Sequence, residues 1–323
     1  MQTYGSLLEK INLALDQEKF RKKPLNLYEP IDYTLSLGGK RLRPVLVLMA
    51  AGLFGTDPEK VIYPALGIEI FHNFTLVHDD IMDNAPIRRG KPSVYKKWSP
   101  NIAILSGDTM FAIAYEYLAK ADKDLLPEVI EVFTQTAREV CEGQQHDMDF
   151  EAREDVSLEE YLEMIRLKTA VLLAASLKTG AILSRAGQGN IDKLYACGIN
   201  MGMAFQLMDD LLDTFSDPDK FGKKTGGDII EGKKTYLYLK ALELADEDLK
   251  TDLRYKYSQQ GDPVTKVREI KKIFNRLRIE SLTRKKVQEY SDKAVELITW
   301  LDAPDDKKKA LISVIEEMTR RDY

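Results

Sequence analysis

Two acidic motifs of the same form, D-D-x-x-D, occur in distant parts of the chain and offer chemistry with divalent metal ions. The carboxylates belong to Asp79, Asp80, Asp83, Asp209, Asp210 and Asp213. On a helix, residues four apart project from one face, with Cβ atoms about 5–6 Å apart. Each motif follows a largely apolar segment, which indicates the end of a buried helix rather than an exposed acidic face.

A solvated helix end would explain a single motif of this kind, but a pair of them needs a further explanation. If the two helix ends faced one another, six carboxylates would share one pocket and would repel each other strongly without a counter-charge. Carboxylate oxygens are hard ligands that suit Mg²⁺, whose coordination is completed by water and by the phosphates of a ligand. The paired motifs therefore predict a magnesium site.

Basic residues accompany the acidic motifs in three clusters that contain or adjoin glycine. They comprise Lys40, Arg41 and Arg43 in "GGKRLRP", Arg88 and Arg89 after the first motif, and Lys223, Lys224, Lys233 and Lys234 after the second. Glycine allows the backbone to approach an anion closely, and Arg and Lys bind phosphate oxygens. One such cluster alone is typical of a solvated turn. Together they predict binding of two polyphosphate groups, one through metal and one through cations alone.

The segments that must hold these residues are predicted to be helical almost throughout. Apolar residues recur every three or four positions over long segments such as 63–82, 158–183 and 194–215, and strand-like alternation is missing. Loops are predicted at 37–44, 84–93, 97–101 and 216–228. No Ser/Gly-rich linker divides the chain, so the sequence predicts an all-α protein with one domain over residues 1–323.

Composition restricts the class of partner and the compartment. The 323 residues carry a formal net charge of −5, which gives no general attraction to nucleic acid. Only Cys141 and Cys197 are present, which favours a reducing, cytoplasmic location. No apolar run approaches the roughly 20 residues that a membrane-spanning helix needs, so no stable membrane insertion is expected.

The order and spacing of five segments resemble the trans-isoprenyl diphosphate synthases, the family of farnesyl and geranylgeranyl diphosphate synthases. The segments are "GGKRLRP" at 38–44, "HNFTLVHDDIMDNAPIRRGKPS" at 72–93, "RLKTA" at 166–170, "FQLMDDLLDTFSDP" at 205–218 and "GKKTGGDIIEGKKT" at 222–235. The resemblance implies a single-domain bundle of long helices around a central active-site cavity, and a homodimer. It also implies condensation of isopentenyl diphosphate with dimethylallyl, geranyl or farnesyl diphosphate.

The resemblance further assigns roles to individual positions. Metal ions, three Mg²⁺ in all, would be held by Asp79, Asp83, Asp209 and Asp213, with Asp210 in support. The allylic diphosphate would be bound by Arg88, Lys168, Lys223 and Lys233. Isopentenyl diphosphate would be bound by Lys40, Arg43, His72 and Arg89. The allylic carbocation would be stabilised by oxygen dipoles of Thr169, Gln206 and the Lys168 carbonyl.

Product length depends, in this family, on residues four and five positions before the first motif. Here these are Thr75, which is small, and Phe74, which is bulky. An aromatic residue there, in a motif without a two-residue insertion, resembles the short-chain pattern and predicts products of C15 to C20. Two alternatives stay open: Phe74 as plain core packing, and products of C30 or longer.

Other functions fit the sequence less well. A terpene cyclase of the same helical fold would carry a different second motif and no "GGKRLRP". A non-catalytic partner subunit would be expected to have lost some of these ligands, and a plain helical scaffold leaves the paired motifs unexplained. Near the C-terminus, Arg320 and Arg321 are candidates for closing over the isopentenyl site.

Overall fold

The structure is a computed structural model and describes residues 3–216, 225–259 and 261–319. Within these residues almost every regular element is a helix, so the predicted all-α class is confirmed. A two-stranded hairpin, which the sequence did not indicate, interrupts the predicted loop after the first acidic motif. The tail with Arg320 and Arg321 lies outside the described residues.

The helices of the first half of the chain are α1 Tyr4–Gln17, α2 Leu25–Ser36, α3 Leu42–Leu53, α4 Ile62–Met82, α5 Val94–Lys97, α6 Pro100–Leu118 and α7 Leu126–Ala152. A 3₁₀ turn covers Pro58–Val61, and the strands are β1 Ile87–Arg88 and β2 Lys91–Pro92. The helices of the second half are α8 Leu158–Ile165, α9 Val171–Leu183, α10 Gln188–Phe215, α11 Gly227–Glu231, α12 Tyr236–Leu244, α13 Glu247–Ser258, α14 Pro263–Arg276, α15 Ile279–Thr299 and α16 Asp305–Thr319. A π-helical turn, Arg166–Ala170, joins α8 to α9.

The chain separates into two compact units. The first comprises residues 1–134, 175–194 and 302–310, and the second comprises residues 135–174, 195–301 and 311–323. The first acidic motif belongs to the first unit and the second acidic motif to the second unit. The single domain predicted for residues 1–323 stays a prediction.

The core of the first unit surrounds α4, which packs against α6. Leu66, Phe71 and Met110 are fully buried there, and burial of each such side chain is worth about 1.5–3 kcal/mol. Gly67 permits the close approach of the two helices, since a Cβ atom at this position would lie 2.9 Å from the carbonyl oxygen of Ala114. A nearly all-round apolar helix thus carries the first motif at its C-terminal end.

The core of the second unit surrounds the C-terminal half of α10. Leu207 and Leu211 are completely buried in one cluster with Leu237 and Phe274. This packing fixes the register of α10, because a rotation would expose these leucines to water. It therefore fixes which carboxylates of the second motif face solvent.

Local sequence explains two elements that bear site residues. Ser157 and Glu160 form a reciprocal capping box at the start of α8, with hydrogen bonds of 3.1 and 2.8 Å. In the hairpin, Arg89 and Gly90 both have positive φ, as in the two-residue turns that suit the twist of antiparallel strands. This turn sets the positions of Arg88 and Arg89.

Across the described parts of the chain, no helix combines the length and the apolar character that a membrane span requires.

Candidate active site

The first acidic motif lies at the C-terminal end of α4. Asp80 is 2% exposed, whereas Asp79 is half-buried and Asp83 is exposed. Asp83 caps the helix, and its N–H donates to the carbonyl oxygen of Asp79 at 2.8 Å. Negative charge is disfavoured at a helix C-terminus by the helix dipole, so the outer carboxylates favour an added cation.

The middle aspartate of this motif is bound by Arg88 from the hairpin. The Nε and Nη2 atoms of Arg88 donate to one oxygen of Asp80 at 2.9 and 2.6 Å. Burial nevertheless raises the pKa of Asp80, and the attraction to Arg88 only partly opposes this. Arg88 is therefore anchored beside the motif, and its predicted contact with the allylic diphosphate stays a prediction.

His72 and Arg43 form a partly buried pair in the first unit. The distance from Arg43 Nη1 to His72 Nε2 is 3.1 Å. Burial, followed by the charges of Arg43 and Arg89, lowers the pKa of His72 well below its ordinary value. The imidazole is therefore neutral near pH 7 and accepts the hydrogen bond at Nε2. Burial also lowers the pKa of Arg43 to about 10.

The glycine turn before α3 lies against Arg89. Arg89 donates to the carbonyl oxygen of Gly38, and a Cβ atom at Gly39 would lie 2.9 Å from Arg89 Cζ. Lys40 is exposed, and its carbonyl oxygen accepts the hydroxyl of Tyr4. The structure thus brings Arg89 to the same turn as Lys40, and the φ of +132° at Gly39 favours glycine there.

Arg41 differs from its neighbours in the basic cluster. Its side chain is only 5% exposed, and Nη1 lies 2.7 Å from Glu69 Oε1, which also accepts from Asn73 Nδ2 at 2.9 Å. A second Arg41 nitrogen donates to the carbonyl oxygen of Leu35. Arg41 is therefore a structural cation, although the sequence placed it with Lys40 and Arg43.

The two candidate chain-length residues have different surroundings on α4. Phe74 is 9% exposed, and its ring stacks on Phe111 of α6 with centroids 5.1 Å apart. Thr75 is half-buried, and its hydroxyl donates to the carbonyl oxygen of His72 at 2.8 Å. Phe111, which holds the ring of Phe74, was not identified from the sequence.

In the second unit, Lys168 and Thr169 occupy the π-helical turn. Lys168 Nζ lies 2.5 Å from Asp147 Oδ2 on α7. Glycines allow close packing around the turn: a Cβ atom would be 2.3 Å from the Lys168 nitrogen at Gly143 and 2.4 Å from the Ala170 Cα at Gly202. Such π turns are frequent at functional sites, because they widen the helix locally.

Gln206 and Thr169 meet as the sequence predicted for residues of one site. Thr169 Oγ1 donates to Gln206 Oε1 at 3.1 Å, and Gln206 Nε2 donates to Asp210 Oδ1 at 3.1 Å. Both Thr169 and Gln206 are partly exposed. Their contact with a carbocation stays a prediction.

The second acidic motif repeats the burial pattern of the first. Asp210 is 3% exposed, whereas Asp209 is exposed and Asp213 is half-buried. Burial raises the pKa of Asp210 to about 7, and the neighbouring charge of Asp209 adds to this. The pKa of Asp213 is raised by burial too, although Oδ2 accepts the N–H of Asp228 at 3.0 Å.

Asp228 joins this acidic group from α11. Burial and then the charges of Asp210 and Asp213 raise the pKa of Asp228 to about 8. Lys233 compensates only in part: its Nζ lies 4.0 Å from Asp228 and 3.1 Å from Glu231. The predicted ligand Lys223 lies outside the described residues.

The donors of both motifs fit a divalent metal ion by their chemistry. All are carboxylate oxygens, and in the second unit burial, followed by repulsion among the aspartates, raises the pKa values of Asp210, Asp213 and Asp228. Within residues 3–216, 225–259 and 261–319, no three His, Cys, Asp or Glu side chains are close enough to hold an ion by themselves. Carboxylate oxygens suit Mg²⁺, which also takes water and phosphate oxygens as ligands.

Sequence reasoning missed several residues beside the second motif. Asp147 pairs with Lys168, Asp228 adds a carboxylate, and Tyr161 donates to Asp210. Gln144 is buried, and neither polar atom of its amide has a partner. Gln144 and Asp147 are three apart and share a face of α7, but nothing in their spacing connects that face with Lys168.

Comparison with known proteins identifies the class. A sequence model of the family "Polyprenyl synthetase" matches residues 24–276. The chain is 36% identical over 323 residues to geranylgeranyl diphosphate synthase of Saccharolobus solfataricus, covering 98% of this chain and 96% of that protein. It is 40% identical over 253 residues to geranylfarnesyl diphosphate synthase of Natronomonas pharaonis, covering 72% and 74%. A crystal structure of a geranylgeranyl pyrophosphate synthase superposes with a TM-score of 0.95 at 43% identity, covering 100% of both chains.

The chain therefore belongs to the polyprenyl synthetase family. It is a prenyltransferase of isoprenoid biosynthesis, with the activity of a short-chain prenyl diphosphate synthase.

Proposed function

We propose that this enzyme joins isopentenyl diphosphate head-to-tail to allylic diphosphates and that its main product is geranylgeranyl diphosphate, C20. The burial of the two acidic motifs supports this most directly. In each motif the middle aspartate is buried and the outer two remain accessible, as a metal-diphosphate site requires. The name geranylgeranyl diphosphate synthase, which several relatives carry, supports the product length.

The accessible carboxylates are the proposed metal ligands. Asp79 and Asp83 would hold two Mg²⁺ ions, and Asp209 with Asp213 would hold a third. When bound, these ions would supply Lewis-acid neutralisation of the diphosphate charge. Lys168, Lys223, Lys233 and Arg88 are the proposed direct ligands of the allylic diphosphate oxygens.

The reaction proceeds by ionisation, condensation and elimination. The allylic C1–O bond breaks, and its electron pair leaves with pyrophosphate, whose charge the lysines and Arg88 stabilise. Oxygen dipoles of Thr169, Gln206 and the Lys168 carbonyl stabilise the allylic cation, because fixed dipoles are most effective away from water. The double bond of isopentenyl diphosphate forms the new C–C bond, and a proton then passes to the released pyrophosphate.

Isopentenyl diphosphate is the proposed ligand of Lys40, Arg43, His72 and Arg89. His72 is neutral, so it donates or accepts a hydrogen bond without adding charge, while Arg43 and Arg89 supply the positive charge. The buried pair of Arg41 and Glu69 holds the beginning of α3 against α4. This fixes Arg43 beside His72 before any ligand binds.

Phe74 is the proposed limit on product length, because the stacked ring of Phe111 prevents it from moving aside. A Phe74→Ala exchange is expected to lengthen the products by one or more C5 units, and Thr75→Phe is expected to shorten them. Chromatographic sizing of the dephosphorylated alcohols measures both changes. Unchanged product length in Phe74→Ala would leave Phe74 as plain core packing.

The proposed reaction is tested with the purified protein, Mg²⁺, labelled isopentenyl diphosphate and, in separate assays, dimethylallyl, geranyl or farnesyl diphosphate. The expected product is a C20 alcohol after dephosphorylation. Products of C30 or longer would overturn the length assignment and leave the reaction intact. A folded protein that elongates none of the three primers would favour the non-catalytic partner subunit.

A homodimer, a cytoplasmic location and a single domain over residues 1–323 are kept as predictions. Sedimentation velocity of the purified chain tests the first, with a mass twice the 36.8 kDa of one chain expected.

A further inference from the structure

Four side chains of the second unit form a continuous chain of hydrogen bonds that ends at the π-helical turn. Tyr161 on α8 donates to Asp210 Oδ2, and Gln206 Nε2 donates to Asp210 Oδ1 at 3.1 Å. Gln206 Oε1 then accepts the hydroxyl of Thr169 at 3.1 Å. Tyr161 and Asp210 are each 3% exposed, so no water competes for their contact.

The direction of each hydrogen bond follows from its neighbour. Three donors surround the side chain of Asp210, so both of its oxygens accept: the hydroxyl of Tyr161, the amide of Gln206 and the backbone N–H of Tyr236. With its NH₂ group turned to Asp210, Gln206 presents its oxygen to Thr169. Thr169 must then donate its only hydroxyl proton to Gln206.

This orientation decides what Thr169 offers to a substrate. A hydroxyl has one proton and two lone pairs, and here the proton is already engaged with Gln206. The lone pairs of Thr169 Oγ1 therefore remain available to a substrate, and this oxygen is the negative end of a fixed dipole. Fixed dipoles of this kind stabilise developing positive charge without reorganisation during the reaction.

We infer that Tyr161 is a positioning residue for ionisation: through Asp210 and Gln206, it fixes the Thr169 hydroxyl as an oxygen dipole toward the allylic cation. This inference rests on the proposed function. It also gives Asp210 a role different from that of Asp209 and Asp213, since both its oxygens are occupied by protein donors.

A purely structural role for Tyr161 is the competing explanation, because a buried tyrosine stabilises most folds. The chain contains a matched control in the first unit. Tyr117 is 6% exposed and donates its hydroxyl to Glu18 at 2.5 Å. Tyr117→Phe therefore removes the same kind of bond, outside the proposed catalytic and binding residues.

The first measurement compares Tyr161→Phe with Tyr117→Phe in steady-state assays and thermal unfolding. Tyr161→Phe is expected to lower kcat about tenfold with KM for both substrates nearly unchanged, since loss of a residue that orients a ligand group typically costs about 10–100-fold. Tyr117→Phe is expected to keep the wild-type kcat. A wild-type kcat in folded Tyr161→Phe would overturn the inference.

The second measurement places Tyr161→Phe in a Thr169→Val background. If Tyr161 acts through Thr169, the added loss in kcat is expected to be less than about twofold, because coupled residues are not additive. In Thr169→Ser, which keeps the hydroxyl, the full tenfold loss is expected to return. Equal losses in wild-type and Thr169→Val backgrounds would show an independent, structural effect and overturn the inference.

Should Tyr161→Phe fail to fold, Asp210→Asn replaces one acceptor oxygen in the same chain of hydrogen bonds and enters the same cycle with Thr169→Val. Additive losses there would likewise overturn the inference. The proposed function is judged separately, since product formation by the wild-type enzyme does not depend on the outcome of either cycle.

Discussion

Both acidic motifs have the form D-D-x-x-D and a buried middle aspartate, but different groups bind that aspartate in the two motifs. In the first unit a cation does so: Arg88 makes two hydrogen bonds to Asp80. In the second unit neutral groups do so, because Asp210 accepts from Tyr161 and Gln206. The repeated sequence motif therefore predicts the accessible outer carboxylates, whereas the surrounding elements determine which group binds the middle aspartate.

Because of this difference, the two regions have different proposed roles in the reaction. Around the first motif, the anchored group Arg88 is itself a proposed ligand of the leaving diphosphate. Around the second motif, the anchored group Gln206 is a proposed dipole beside the cation. In each region the buried middle aspartate orients a reactive partner, and the two partners have opposite electrostatic tasks.

The largest expected effect is the loss of activity when an outer aspartate of either motif is replaced. Asp79→Asn and Asp209→Asn are each expected to lower kcat about 10³-fold, because a metal ion contributes several kcal/mol to a charged transition state. The Mg²⁺ concentration for half-maximal rate is expected to rise in both. A wild-type kcat and metal dependence in Asp209→Asn would contradict the proposed third ion. Only the first motif would then be a proposed metal site.

The sequence predicted the helical class and the paired motifs because both depend on local periodicity and residue type. Arg43 and His72 were predicted as ligands and lie 3.1 Å apart. Arg41 was grouped with them, but it turns inward because Glu69, far away in sequence, offers a buried partner.

Other contacts could not be predicted, since they depend on tertiary packing. Asp147 and Asp228 reach the second-motif region from α7 and α11, and no spacing rule connects them with Lys168 or Asp213. The hairpin that carries Arg88 is only two residues on each strand, too short for an alternating pattern.

The next expected effect is on the free energy of unfolding. It compares the charged partner of Asp80 with a neutral partner of Asp210. Arg88→Met is expected to lower the free energy of unfolding by about 2–3 kcal/mol, because it leaves Asp80 buried without its charged partner, although Arg88 is itself one-third exposed. Tyr161→Phe removes one hydrogen bond and is expected to cost about 1–2 kcal/mol. Urea unfolding at constant pH measures both.

Arg88→Lys provides the matched control for this comparison. Lysine keeps the charge but cannot make the paired contact of the guanidinium, so an intermediate loss is expected. A smaller loss in Arg88→Met than in Tyr161→Phe would mean that the charged anchor contributes nothing beyond a neutral hydrogen bond.

The smallest effects are opposite pH dependences of stability in the two regions of the metal-free protein. The folded pKa of Asp228, about 8, lies above its unfolded value, so its contribution is present in acid and is lost as pH rises toward 8. The folded pKa of His72 is lowered, so its contribution is present above about pH 6.5 and is lost as pH falls below that value. Each slope is at most about 1.4 kcal/mol per pH unit.

Thermal unfolding between pH 5 and pH 9, with chelator and then with Mg²⁺, resolves the two contributions. Asp228→Asn is expected to reduce the loss of stability between pH 5 and about pH 8, and His72→Asn is expected to reduce the loss below about pH 6.5. Added Mg²⁺ is expected to raise the Tm more at pH 8 than at pH 6, because ionised carboxylates bind the ion and neutral ones do not. An equal rise at both pH values would show that the raised pKa values near the second motif are not linked to metal binding, and the contrast between the two motifs would then rest on their anchors alone.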